Sequence, residues 1–163
     1  MADPTFVIRA AAPDDVPTIL DLIRGLAEYE RLTDQVVATV PLVRAALFPD
    51  DGSPPSAHCV LAHVETAPAG FALYFFNFST FLGRPGLYLE DLFVQPDFRG
   101  RGVGKGLLLH LARLANARGC GRMEWSVLDW NQPAIALYES LGATRLREWQ
   151  ICRLTGEALE RYR

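Results

Sequence analysis

Alternating apolar and polar positions from Thr5 to Arg9 predict a first β-strand. Pro13, Asp14 and Asp15 then mark a helix start. Val16, Ile19, Leu20, Ile23, Leu26 and Ala27 recur at helical spacing and carry that helix to about Glu30. A weaker helical run from Pro41 to Phe48 stops at a stretch rich in Pro, Asp and Gly, residues 49–55. Cys59 to Val64 and Phe71 to Phe78 read as two strands of a hairpin, broken at Thr66 to Gly70, and Leu87 to Val94 as a third. Val103, Leu107, Leu108, Leu111, Leu114 and Ala115 line one face of a long helix. Met123 to Leu128 is strand-like, Pro133 to Leu141 is helical with Gly142 ending it, and Arg145 to Leu154 predicts a last strand. The polar tail from Thr155 to Arg163 has room for a short helix.

The order β-α-α-β-β-β-α-β-α-β predicts an α/β protein: a mixed central sheet with helices on both faces. The crossover from the 87–94 strand through the long helix to the 123–128 strand should be right-handed and locally parallel. No repeat or linker interrupts the pattern, and 163 residues suit one domain, 1–163. Half the residues are hydrophobic and 21% are charged, which excludes a disordered chain. A net charge of −3 provides no basic surplus for phosphate backbones, so no nucleic-acid partner is expected. Cys59, Cys120 and Cys152 form no CxxC pair, and the three histidines lack ligand spacing, so no metal is expected. An N-terminus without a basic-then-apolar leader, and apolar runs too short to span a bilayer, predict a cytoplasmic protein with no membrane partner.

The most informative segment runs from Gln95 to Gly106, where alternate glycines and two arginines lie between a strand and a helix N-terminus. Unpaired N–H groups and the positive dipole end there suit a phosphate or pyrophosphate. A dinucleotide GxGxxG fails, because its third glycine falls on Lys105 or Leu107. A P-loop fails too, since Arg99 occupies its first glycine position and Gly106 its Ser/Thr position. Arg-x-x-Gly-x-Gly fits, as Arg99, Gly102 and Gly104. With this motif the segment resembles the coenzyme A pyrophosphate loop of the GNAT superfamily of N-acetyltransferases. Asn131-Gln132-Pro133-Ala134 with Tyr138 and Gly142 is similar to the Asn-x-x-Ala-x-x-x-Tyr-x-x-x-Gly segment of the same enzymes. Phe6 to Arg9, Leu26 to Glu30, Leu87-Tyr88-Leu89-Glu90-Asp91-Leu92-Phe93-Val94 and Asp129-Trp130-Asn131 extend the resemblance over residues 5–154. They place it with the diamine acetyltransferases, the spermidine/spermine enzymes and their thialysine-acetylating relatives.

The resemblance implies a GNAT fold with a V-shaped splay at the acetyl-CoA site. It also implies direct acetyl transfer to a small-molecule primary amine within a ternary complex. Acetyl-CoA would lie against Leu92, Phe93, Val94, Arg99, Gly100, Arg101, Gly102, Val103, Gly104, Lys105, Asn131, Pro133, Ala134 and Tyr138. An alkylammonium titrates near 10.4 and must lose a proton before attack, so a carboxylate within reach is required. The family's base-like glutamate falls at Glu90; the same position would also suit a strand-end glutamate paired with an arginine. A backbone N–H freed by a bulge near Phe93 and Val94 would face the thioester carbonyl. Tyr138 matches the tyrosine regarded as general acid toward the thiolate. The cysteines match no catalytic position and are expected to be small buried hydrophobes.

Amine selectivity is implied at Tyr29, Glu30, Glu90, Asp91, Glu124, Trp125, Ser126 and Glu148. Arg31-Leu32-Thr33-Asp34-Gln35 carries one acid where the polyamine enzymes usually have two, and adds a cation. A polycation gains from each nearby carboxylate, so thialysine, lysine or a short diamine becomes at least as fitting as spermidine. An acyl-CoA-binding module without catalysis, and a protein or peptide acetyltransferase, are the competing functions. Close relatives form homodimers by pairing C-terminal strands, which the apolar Trp149-Gln150-Ile151-Cys152 run permits.

Overall fold

The computed structural model describes residues 6–163, which fall into two compact units, the first ending at Ser126 and the second spanning Val127–Arg163. The first unit is a five-stranded sheet in the order β1-β2-β3-β4-β5: Val7–Ala10, His58–Val64, Ala67–Ser79, Arg84–Val94 and Arg122–Trp125. The first three pairings are antiparallel, and β4 pairs with β5 in parallel, as the crossover requires. Helices α1 (Val16–Glu30) and α2 (Val40–Leu47) follow β1, and α3 (Val103–Ala117) joins β4 to β5.

The register assigns the helices to opposite faces. Phe93 lies against Gly25 of α1 and pairs through Phe71 with Leu61, so these side chains share the α1 face. Ile8 lies against Gly106 of α3 and pairs with Ala62, one position away and therefore on the other face. Small residues line that second seam. Gly104 and Gly106 on α3 meet a sheet carrying Ala62 and Ala72, both fully buried. On the α1 face, Val16, Ile19, Leu20, Leu22, Val43 and Leu47 close over Leu61, Phe71 and Phe93 to form the main core.

Several strand boundaries differ from the sequence pattern; β5 ends at Trp125, where its pairing with Leu89 ends, and not at Leu128. β3 begins at Ala67, so the hairpin turn is a tight one at Glu65-Thr66, with Glu65 at φ 54°. Pro68 and Gly70 read as turn residues, yet they flank a bulge at Ala69, an irregularity that tolerates proline inside a sheet. β4 begins at Arg84, three residues before the apolar run, because Pro85 and Gly86 pair with Phe78 and Asn77.

In the second unit α4 (Gln132–Ser140) and a one-turn α5 (Glu157–Glu160) form as the pattern predicts. Arg145–Leu154 is not a strand: the backbone there is irregular, and Trp149, Ile151 and Leu154 are exposed. A strand exists only with a partner to take its N–H and C=O groups, and among the described residues no strand pairs with this segment. Cys59 is buried, as its apolar neighbours predict, whereas Cys152 is exposed with the segment that carries it.

Phe71 is fully buried and Phe81, at the β3–β4 turn, is fully exposed. Phe71→Ala should lower unfolding free energy in urea titration by about 3–5 kcal/mol. Phe81→Ala should change it by less than about 0.5 kcal/mol.

Candidate active site

β4 carries the site because it changes its pairing halfway along. Gly86 to Leu89 pair with β3 on one side and with Arg122 to Trp125 of β5 on the other. Beyond Leu89 the β5 pairing ends while the β3 pairing continues to Val94. The change coincides with a bulge: Tyr74 opposes Leu89 and Leu73 opposes Asp91, leaving Glu90 as the extra residue. Glu90 is exposed and has no arginine or lysine within 4 Å among the described residues. The glutamate held by an arginine on this part of the sheet is Glu124, 3.0 Å from Arg122.

Asp91, paired with Leu73, lies on the α1 face and is partly buried. Burial first, then the charges of Glu90 and Glu30, push its carboxyl up to about 6. Burial also raises Glu30, at the end of α1. Tyr29 precedes it in the last turn, which closes where Arg31 takes the left-handed conformation and Leu32 N–H donates to Ala27 O. Two polar side chains tie β4 to the residue after β5: Tyr88 OH and Ser126 Oγ lie 2.9 Å apart. Tyr88 pairs with Phe75 and stacks obliquely on its ring, at 5.2 Å. Sequence reasoning missed Tyr88, whose signal was its place two residues before Glu90. Trp125 sits opposite Leu89 at the end of the β4–β5 pairing.

After Val94 a short 3₁₀ turn, Pro96–Phe98, leads into the glycine loop. Gly100 and Gly102 take φ values of 75° and 79°, and a Cβ at either would meet nothing within 4 Å. Gly102 is the N-cap of α3 and has no side chain to satisfy the first-turn N–H groups. Open space, positive φ and unpaired amides at the start of a fifteen-residue helix fit a pyrophosphate. Arg101 and Lys105 are exposed beside it.

The loop's remaining residues divide by side chain. Val103 and Phe93 are buried in the core, so only their backbones are open to a ligand. Gly104 lies against Val94 and Leu92, bringing α3 close to the unpaired edge of β4. Arg99 turns back: its Nε donates to Val94 O at 3.0 Å, and its guanidinium lies over the rings of Tyr29 (4.7 Å) and Phe93 (5.7 Å). A groove of about 630 Å³ opens along these residues, lined also by Thr18, Asp21 and Gln95.

In the second unit Asn131 caps α4, its side-chain oxygen accepting from Ala134 N–H at 3.4 Å. Pro133 stands in the first turn, and Tyr138, partly buried, lies seven residues beyond Asn131 on the same side of the helix. Glu148 is exposed on the irregular segment. Cys59 is no nucleophile, because burial pushes its thiol up to about 12. Among the described residues no group of three or more His, Cys, Asp or Glu side chains could hold a metal, and no helix is long and apolar enough to cross a membrane.

A parallel β4–β5 pair that parts at a bulge, with a glycine loop at the end of β4, is the kind of open sheet that the resemblance implied. Residues 23–143 match the acetyltransferase (GNAT) family. The chain belongs to that family and is an N-acetyltransferase; such enzymes use acetyl-CoA as acetyl donor. It is 42% identical to the thialysine N-epsilon-acetyltransferase of Bos taurus over 94% of each chain. It is 36% identical to the L-ornithine N5-acetyltransferase of Arabidopsis thaliana, over 94% of this chain and 86% of that one. An integron cassette protein from the mobile metagenome of V. cholerae superimposes with a TM-score of 0.79 at 26% identity, covering 97% of both chains.

The raised Asp91 carboxyl makes stability depend on pH with a defined sign. Between an unfolded value near ~3.9 and about 6, the folded state holds a proton that the unfolded chain has lost. This contribution is complete below about pH 4 and disappears as pH rises through 6, on the order of 3 kcal/mol in all. Asp91→Asn should therefore gain stability relative to wild type as pH rises from 4 to 7 in urea titrations. A difference that stays constant across that window would refute the assignment.

Proposed function

We propose that this chain, acting as one domain over residues 1–163, transfers the acetyl group of acetyl-CoA to the terminal amine of a small molecule. The favoured acceptor is an amino acid with a side-chain amine, of the thialysine, lysine or ornithine kind, ahead of a polyamine. The observation that carries the reading is Glu90: an exposed, arginine-free carboxylate standing as the extra residue of a bulge where β4 loses its second neighbour. Exposed glutamates are common on protein surfaces, and it is the place at the bulge that supports a role for this one.

The amine arrives as an ammonium, and Glu90 takes its proton directly or through one water. The freed lone pair attacks the acetyl carbon, whose oxygen is met by a β4 backbone N–H near Phe93 and Val94. The carbon–sulfur bond breaks, and Tyr138 donates its proton to the departing thiolate. The amides at the start of α3, with Arg101 and Lys105, hold the pyrophosphate; Asn131, Pro133 and Ala134 begin the helix that presents Tyr138. Tyr29, Glu30 and Asp91 line the acceptor side, together with Tyr88 and Ser126. Glu124 is already neutralised by Arg122, which leaves fewer free carboxylates for a polycation. The names of the bovine and plant relatives, both acting on amino acids, point the same way. Three unpaired cysteines suit the cytoplasm, and the exposed Trp149, Ile151 and Leu154 suit a homodimer contact.

CoA release should be fastest with thialysine, lysine or ornithine and slower with spermidine, spermine, putrescine and a basic peptide. Preference for spermidine would overturn the acceptor class, and preference for the peptide would support a protein acetyltransferase. Bound acetyl-CoA without turnover on any amine would favour the non-catalytic module.

Glu90→Gln should lower kcat/KM for the amine by about 10²–10⁴ at pH 7, with acetyl-CoA affinity unchanged. The deficit should shrink toward pH 10, where the amine is partly deprotonated already. Tyr138→Phe should retain acetyl-CoA binding and lose at least about tenfold in kcat. Full turnover in that variant would remove Tyr138 from the acid role.

A further inference from the structure

Arg99 heads the Arg-x-x-Gly-x-Gly motif, and its place there suggests a phosphate ligand. Its side chain is otherwise engaged. The Nε–H is bonded to Val94 O, the last residue of β4. The guanidinium plane is shared between two aromatic faces from separate elements, Tyr29 of α1 and Phe93 of β4. Arginine suits this because its flat, weakly hydrated cation stacks on rings while its N–H groups keep a fixed fork. Both arginines are exposed, but Arg101 differs in its contact: it reaches only Phe98 of its own loop, at 5.6 Å, beside the helix start.

We propose that Arg99 is a positioning residue that clamps the last turn of α1, carrying Tyr29 and Glu30, to the end of β4 and the glycine loop. The acceptor wall and the donor loop are thereby held as one piece, and the pyrophosphate is left to the backbone amides, Arg101 and Lys105. This rests on the proposed transfer only in assigning Tyr29 and Glu30 to the acceptor side. α1 has no other cation in its last turn to do this work: Arg24 pairs with Asp21 near the middle of the helix, 3.1 Å away. Without the clamp, the turn is held by its own Leu32-to-Ala27 and Arg31-to-Glu28 backbone bonds and by the remaining contacts of Tyr29.

The test separates charge from stacking. Arg99→Lys keeps the cation but loses the flat stack and the Nε bond, so a phosphate role would survive it and a clamp would not. Amine KM should rise roughly three- to thirtyfold in Arg99→Lys, with acetyl-CoA KM changed less than about twofold. Arg101→Ala should do the reverse: acetyl-CoA KM rises, while KM for acetyl-pantetheine, which lacks the pyrophosphate, is unchanged. Hydrogen exchange of the Arg31 and Leu32 amides should quicken in Arg99→Lys and stay at the wild-type rate in Arg101→Ala. That last readout needs no turnover, so it decides the clamp even if the proposed acceptor chemistry fails. A Tyr29→Leu, Arg99→Lys double variant should lose less than the two single losses combined. The proposal is overturned if Arg99→Lys retains wild-type amine KM and exchange rates. It is equally overturned if Arg99→Ala raises KM for acetyl-CoA but not for acetyl-pantetheine.

Discussion

β4 has two strand neighbours over its first half and one over its second, and the placing of its acids depends on that asymmetry. A β-strand surrounded on both edges has no backbone groups to offer a ligand. From Glu90 onward, the edge that β5 covers at Gly86 to Leu89 is no longer paired to a strand. The bulge at Glu90 marks the change, and after it Asp91, Leu73 and Phe93 share the α1 face. One inserted residue thus determines which carboxylate is exposed and which is partly buried.

The two acids have opposite electrostatic circumstances although they are adjacent in sequence. Glu90 keeps its contact with water. Asp91 is partly buried and faces the charges of Glu90 and Glu30, and burial first, then those charges, push its carboxyl up to about 6. Two acids thus stand together at the bulge while only one of them is partly buried, which limits how much charge the fold must bury. The opposite sign is concentrated at the start of α3, where amides, Arg101 and Lys105 favour an anion. The end of β4 separates these two fields over a few residues, which suits a reaction between an anionic donor and a cationic acceptor.

The close seam between α3 and the sheet makes this arrangement mechanically firm. Gly104 and Gly106 allow the helix to approach Val94, Leu92 and Ile8, while Phe93 fills the opposite face against Gly25. Arg99 then joins the loop to α1 across the end of that strand. Glycine is thus used on this chain both for left-handed backbone, at Gly100 and Gly102, and for close approach, at Gly104 and Gly106.

Periodicity along the chain was enough to place α1, α3 and α4, while β2 and β3 were legible as apolar runs that are buried over consecutive residues instead of alternating. Motif spacing alone pointed to the pyrophosphate loop, since glycines with positive φ are needed wherever the sequence places that turn. The resemblance implied a bulge near Phe93 and Val94, but that stretch pairs regularly with Gly70 and Phe71; the register against Leu73 and Tyr74 puts the extra residue at Glu90 instead, where two consecutive acids break the alternation. Arg99 was legible as a loop cation but not as a stacked one, because Tyr29 lies seventy residues away in sequence. The 145–154 segment shows the converse: its apolar alternation satisfies strand propensity, yet a strand needs a partner's hydrogen bonds, and no other strand among the described residues supplies them. Local pattern determined which elements could form. Pairing between distant segments decided which backbone edge opened, which acid was exposed, and where the arginine went.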